Sequence, residues 1–469
     1  MSRFWVLIFS IILSWSSYAQ ILQVESHTLA GSNQQLPFWL WANQLGRYDR
    51  TNNFIQHFGL SGQYQSNIKD SDFAYELRSN LDLLLGKNSS IRFTEWYGRL
   101  DWRIFELNAG AFAENEKYNG LSASNGNLAD TRNARPHPKI RLGFNRFVPI
   151  GVKWFSIYGF YEEGMLNDDR YVSDTHLHRK AFYFRFGTLD NFNFTGGLEH
   201  YVMWGGNHPT YGELPSWESY FDYILSRSGG SNALPTDQAN IMGNQFGTYQ
   251  VEISKQWNQY RSKFYISHPY DDRSGLELEN YQDNLYGIFI EVKHKYPLIK
   301  SILLEYYYTK NQSGPFHLVP QGDGTDSGRG RDNYFNHGIY QSGVSYQKYG
   351  MVSPFFSPVI IHNDISMGFE STRFSGFHAG LNGYISESWH WKAMLSDIRH
   401  FGQYDKYGED TFQPAKKQLS GQLSLTWEPP HMPITAGITF AADRNKLFEK
   451  ANMFGALLQF SWRIVQNEG

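Results

Sequence analysis

The chain has 469 residues, a formal net charge of −3 and no cysteine. The missing thiols exclude a disulfide framework, a lipoprotein anchor and thiolate metal sites; the lack of a basic excess argues against nucleic acid, whose phosphates would need neutralising. Aromatic residues make up 17% of the chain, with 31 tyrosines and 35 phenylalanines, while mean hydropathy is −0.51, a combination that suits rings held at two membrane interfaces better than a soluble core.

The first twenty residues have the layout of a secretory signal. Arg3 supplies a basic n-region, residues 4–13 are apolar, and Ser17-Tyr18-Ala19 is a small-x-small cleavage site that leaves Gln20 as the first mature residue. The apolar run is shorter than the ~20 residues a spanning helix needs, so 1–19 is expected to be a cleaved signal peptide. Residues 20–55 contain Pro37-Phe38-Trp39-Leu40-Trp41, too irregular for a membrane strand, and read as an N-terminal periplasmic or lumenal segment.

From residue 56 onward the pattern has period two. In 73–85, Phe73, Tyr75, Leu77, Leu81, Leu83 and Leu85 share one face, and Glu76, Arg78, Asn80 and Asp82 the other. Leu419, Leu423, Leu425 and Trp427 alternate with Ser420, Gln422, Ser424 and Thr426 in the same way, as do Phe454, Ala456, Leu458, Phe460 and Trp462 with polar neighbours. Similar windows recur, among them 192–203, 244–256 and 336–348. Strands with one greasy and one wet face are what a transmembrane barrel requires, because lipid cannot hydrogen-bond an open sheet. The fold expected is all-β, a transmembrane antiparallel β-barrel over 56–469 with about 18 strands, since single-chain bacterial barrels use even numbers. No internal repeat of fixed period is visible, which counts against a propeller.

Two stretches interrupt the alternation. In 205–243, Trp217, Tyr220, Phe221, Ile224 and Leu225 follow helical spacing after Pro215-Ser216; this short helix either plugs the lumen or belongs to an extracellular loop. Residues 311–335 are rich in Gly, Asp, Ser and Asn and read as a long surface loop.

Catalytic and metal patterns fail on spacing. Asp323-Gly324-Thr325-Asp326-Ser327-Gly328 starts like a calcium loop, but its third and twelfth positions are Thr325 and Tyr334. Glu162–Glu163 and Asp271–Asp272 are adjacent and would point to opposite faces of a strand. His176 and His178 share a face without a third ligand at a telling spacing, and no G-x-S-x-G elbow exists. A non-enzymatic protein without cofactor is the expectation.

Rings mixed with planar polar groups stand out in the expected loops: Trp204-Gly205-Gly206-Asn207-His208, Trp217, and Arg329-Gly330-Arg331-Asp332. Sugars stack C–H faces on rings and offer hydroxyls to such polar groups, and an anionic glycan adds a demand for arginine. Trp204, His208, Trp217, Arg329, Arg331 and Asp332 are therefore candidate polysaccharide-binding residues. The equal alternative is that these rings pack the loops over the barrel mouth.

Several short motifs, in order along the chain, resemble the Wzi capsule-assembly family in the form found in Bacteroidetes-type bacteria. They are Pro37-Phe38-Trp39-Leu40 with Asn43-Gln44-x-Gly46, Trp204-Gly205-Gly206 with Leu214-Pro215, and Asp272-Arg273-Ser274-Gly275. Glu305-Tyr306 with Thr309-Lys310-Asn311-Gln312-Ser313-Gly314-Pro315, Asp332-Asn333-Tyr334-Phe335-Asn336, and Tyr340-x-Ser342-Gly343 complete the set. The resemblance implies an outer-membrane barrel with an occluded lumen that binds capsular or other surface polysaccharide and supports capsule assembly, in contact with outer-membrane lipid and polysaccharide export proteins. Two departures are visible: Val344 stands where the family pattern has a tryptophan, and residues 464–469 lack a terminal aromatic. The rival function is a diffusion channel for small solutes.

Overall fold

Alternation decides the architecture: each long segment buries one face and offers the other to lipid, and only a closed sheet leaves no edge unpaired. The computed structural model describes residues 21–66, 72–227, 241–271, 273–316, 319–320, 326–327, 330–356, 359–447 and 452–465. The expected signal peptide and Arg329 lie outside the described residues.

One antiparallel sheet closes on itself. Ile21–Gly31 pairs with Phe54–Gln65 on one side and with the last strand, Asn452–Val465, on the other. Between them run Phe73–Leu85, Ser90–Trp102, Phe105–Ala111, Pro138–Phe144, Val152–Leu166, Thr175–Gly187, Phe192–Trp204, Asn244–Gln256, Tyr260–Tyr270, Asn284–Val292, Ser301–Tyr308, Arg373–Ser386, Trp389–Gly402, Lys416–Trp427 and Ile434–Asn445, each bonded to its sequence neighbours. Val148–Ile150 continues Pro138–Phe144 after a break, and both pair with Val152–Leu166; the barrel therefore has 18 strands.

The outward face is apolar. Leu77, Phe182, Leu395, Leu423, Phe440 and Leu458 are all exposed there, while His57, Asp82, Arg179, Glu199, Glu305 and Ser420 are buried facing the lumen. Short turns join the strands at one end, which also holds both ends of the sheet, and the long connections lie at the other. Short turns mark the periplasmic end of such barrels. Exposed Trp102, Phe105, Trp154, Phe192, Trp257 and Trp389 sit near the short turns, as an aromatic girdle would.

Two sequence expectations need correction. Residues 20–55 are not irregular throughout, because Ile21–Gly31 is a full barrel strand. Its lipid-side positions include Ser26 and Thr28, which dilute the greasy face; Thr28 Oγ1 donates to Gln56 Oε1 at 2.7 Å, and Gln56 Nε2 donates to Ser26 Oγ at 3.0 Å. Conversely, 336–348 is not a barrel strand. It turns back inside the barrel mouth, with only Ser345–Tyr346 pairing, against Tyr349–Gly350, and its alternation reflects buried Tyr340, Val344 and Tyr346.

The core lies inside the barrel. Segments 32–53, 112–137 and 330–356 fill the lumen and bond to each other and to the wall. Phe38 stacks on Phe355 at 5.5 Å and its N–H donates to Asp443 Oδ2 at 2.7 Å. Leu45 N–H donates to Arg132 O at 2.9 Å, and Thr131 N–H to Met351 O at 2.9 Å.

Candidate functional site

The sequence-derived candidates do not converge on one place. Trp204 is fully buried at the end of its strand, but on the outer wall: it faces the same side as His176, His178 and Lys180, which share parity with lipid-exposed Phe182, whereas Arg179 and Tyr183 face inward. Trp204 stacks on His176 with centroids 4.3 Å apart and meets Trp217 edge-on at 4.8 Å.

The expected helix forms after Pro215-Ser216, as Trp217–Ser219 (3-10) and Tyr220–Ile224. It lies outside the barrel, against that patch. Tyr220 Oη bonds to Glu163, Lys180 Nζ donates to Ile224 O, and Gln245 Nε2 donates to Tyr223 O at 2.9 Å. Trp217 is 61% exposed on its outward side.

His208 is buried, stacks on Tyr211 at 4.4 Å, and accepts the N–H groups of Thr210 and Tyr211 through Nδ1 at 3.1 and 3.2 Å. Asp332 is buried and accepts Ser313 Oγ at 2.7 Å. Arg331, in left-handed backbone at φ 57°, donates to Tyr404 O at 3.4 Å. Trp204, His208 and Asp332 are thus engaged in contacts within the protein, Trp204 on the outer wall and not over the barrel mouth.

A different cluster faces outward at the long-loop end. A cleft of about 590 Å3 is lined by Arg47, Arg50, Arg92, Arg135 and Lys348, against two carboxylates, Asp49 and Asp364, with Trp41, Tyr349 and Phe356 contributing rings. Three separate segments and one strand top supply these groups, so no single motif contains them. Arg92 Nη2 donates to the carbonyls of Gly46 at 3.1 Å and Arg47 at 2.5 Å, and the buried Nε atoms of Arg92 and Arg135 have no hydrogen-bond partner. Burial is the largest cause holding Arg135 below the ordinary guanidinium value. Cations held in this way, beside aromatic faces, favour an incoming anion.

Beneath the cleft, a lumenal cavity of about 730 Å3 is lined by Gln23, Arg78, Lys300, Lys392, Gln422 and Gln459, among others, and lies toward the short-turn end. Residues 45–48 stand between the two spaces, and Arg47 lines both. Arg47 Nε lies 3.3 Å from Asp82 Oδ2 and its Nη1 3.8 Å from Glu25 Oε1.

A buried ionic knot fixes the second lumenal segment. Arg179 reaches Glu114, Asp130 and Glu199, each at 2.7 Å. Burial pushes the Asp130 carboxyl up, against the pull of Arg179.

Sequence reasoning missed the outer cleft. Its one local signal was Arg47-Tyr48-Asp49-Arg50 close behind Trp39 and Trp41, in a segment set aside as irregular.

No known family model matches the chain, and no curated protein sequence does. Among solved structures it is similar to Wzi of Escherichia coli, described as an outer-membrane protein involved in group 1 capsule assembly and a carbohydrate-binding β-barrel. The TM-score is 0.59 at 14% identity, covering 96% of this chain and 86% of that one. It is also similar to OccK5 and OprD of Pseudomonas aeruginosa, with TM-scores of 0.49 and 0.48 at 7% and 9% identity, over 95% of this chain and 97% and 94% of theirs. What the likeness to Wzi establishes is the fold, that of outer-membrane barrels.

Proposed function

We propose that the protein is a non-enzymatic outer-membrane barrel that binds an anionic capsular or other surface polysaccharide in its outer cleft and supports attachment of that glycan to the cell. The observation that carries this reading is the cleft itself: Arg50, Arg92, Arg135 and Lys348 against two carboxylates, beside Arg47, which pairs inward with Asp82 and Glu25, and with aromatic rings among them. The carbohydrate-binding character of the similar Wzi barrel supports it. Polysaccharide export proteins are the partners such a role calls for. Weak single contacts suffice, because many repeat units meeting many barrels multiply them.

The rival is a diffusion channel. Against it stand the segments that fill the lumen, above all residues 45–48 between the two cavities, for a channel needs a continuous wet path.

The test compares acidic and neutral polysaccharides on the purified barrel, in the parent and in an Arg92→Ala/Arg135→Ala variant. Salt-sensitive binding of the acidic glycan, weakened at least tenfold in the variant, is expected. Equal binding by both proteins would reject the cleft; large steady single-channel currents in a planar bilayer would favour the channel.

A further inference from the structure

Within the barrel wall, two histidines meet nitrogen to nitrogen inside a compact polar cluster. His27 on Ile21–Gly31 and His57 on Phe54–Gln65 are directly paired across the sheet, and both face the lumen. Their Nδ1 atoms are 3.2 Å apart. Tyr48 Oη, from the first lumenal segment, lies 2.5 Å from His27 Nδ1 but 3.5 Å from His57 Nδ1. His57 Nε2 lies 2.7 Å from Asp82 Oδ1. A carboxylate only accepts, so that nitrogen carries the ring proton and leaves Nδ1 as a lone pair.

The tautomer that turns His27 Nε2–H toward Glu25 Oε2, 4.0 Å away, makes its Nδ1 a lone pair as well. In this tautomer, with the Tyr48 hydroxyl turned away from His27, two lone pairs 3.2 Å apart converge on one point, which a cation bonded to both nitrogens would occupy.

We propose that Glu25, His27 and His57 hold a divalent transition-metal ion of zinc type. One ligand atom from each of the three lies within 4.8 Å of the others, and two imidazole nitrogens on a tetrahedral zinc lie roughly 3.3 Å apart at ~2.0–2.1 Å bond lengths. Asp82 takes the outer position that orients a metal-bound imidazole. Gly59 makes room for the carboxylate, since a Cβ there would stand 2.5 Å from Glu25 Cγ. Around the two rings stand the carboxylates of Glu25 and Asp82 and the guanidiniums of Arg47 and, opposite Asp82 across the strand pair, Arg92. Glu25 and His27 line the 730 Å3 lumenal cavity, which supplies the access route. Two imidazoles with a carboxylate select zinc, copper or nickel over calcium and magnesium. The ion would tie two barrel strands together directly beneath Tyr48 and so brace the lumenal segment, independently of any glycan.

The full-length barrel, without a histidine tag and stripped with chelator in detergent, is titrated with Co2+ alone. One equivalent bound with tetrahedral visible absorption, displaced by Zn2+, is expected. His27→Gln and Glu25→Gln should abolish the band, and Asp82→Asn should weaken Co2+ binding by about 10–100-fold. No band in the parent protein, as when a proton alone lies between the two nitrogens, would overturn the proposal. So would a band unchanged in both variants. If His27→Gln no longer shows heat-modifiable migration, Glu25→Gln, at a partly exposed position, carries the test by itself.

Discussion

Ser122 donates its hydroxyl to the Glu305 carboxylate at 2.5 Å, joining the lumenal segment 112–137 to the strand Ser301–Tyr308 across 183 residues of sequence. Glu305 also accepts Ala123 N–H at 3.2 Å, Tyr265 Oη at 2.6 Å and Tyr307 Oη at 2.7 Å. One buried acid on the wall thus gathers four donors. The segment is held by hydrogen bonds that pure hydrophobic packing could not replace without leaving polar groups dry.

Glu305→Leu should therefore unseat the segment while sparing the sheet. Each stranded donor costs about 1–3 kcal/mol, and the donors lie in the lumen, away from the strand ladders. Heat-modifiable migration should persist and bilayer conductance should rise. Conductance equal to the parent's would show that the segment is seated by other contacts.

Strand phase gives a second outcome. Leu423 is 54% exposed on the lipid face, whereas Gln422 lines the lumenal cavity. Leu423→Arg should cost roughly 2–4 kcal/mol if near the bilayer midplane, and Gln422→Arg should be tolerated. Refolding into vesicles from urea measures both, and equal costs would place the two faces wrongly.

The outer helix makes a third. Trp217, Phe221 and Leu225 are spaced by four and all exposed, on a helix lying on the barrel's outer wall near the long-loop ends of the strands, where rings favour the membrane interface. Because the chain lacks cysteine, Phe221→Cys gives a single spin-labelling site. In vesicles the label should be reached by oxygen and shielded from a water-soluble nickel complex. The reverse pattern, like that expected at Tyr407→Cys, would mean the helix stands in water.

Acidity should affect one loop anchor. Asp283 accepts the N–H groups of Asn311 and Gln312 at 2.8 and 2.6 Å and Tyr334 Oη at 2.6 Å. Burial nonetheless pushes its carboxyl up to about 6, from 3.8. A raised acid binds its proton more tightly folded than unfolded, so its contribution is most favourable below 3.8 and is lost as pH rises through 6. A shift of that size corresponds to no more than about 3 kcal/mol. Amide-exchange protection of 311–312, corrected for intrinsic rates, should fall between pH 5 and pH 8 in the parent and stay flat in Asp283→Asn. A parallel fall in both would place the titration elsewhere.

Period-two alternation is a local property, and the sequence alone determined from it the all-β class and the lipid face of strands such as Lys416–Trp427; the number of strands it only approximated. That count came out right with two errors that cancelled. Ile21–Gly31 was hidden because Gln56 satisfies the hydroxyls on its lipid side, and 336–348 was counted because buried turns imitate alternation. Helical spacing at 217–225 was legible for the same local reason. Its position was not, since nothing local distinguishes a helix inside the barrel from one resting on His176 and Trp204 outside it.

Only tertiary structure decided where charges and rings meet. Arg47, Arg92, Arg135 and Tyr349 lie far apart in the chain and share a cleft because three loops fold back into one mouth; Tyr48 reaches His27 and His57, already opposed by neighbour pairing, because the connection between their strands folds back into the lumen. Strand register follows from side-chain periodicity and neighbour pairing, which sequence carries. Loop convergence follows from long-range packing and buried hydrogen bonds such as Ser122 to Glu305, and these exist only once the barrel has closed around them.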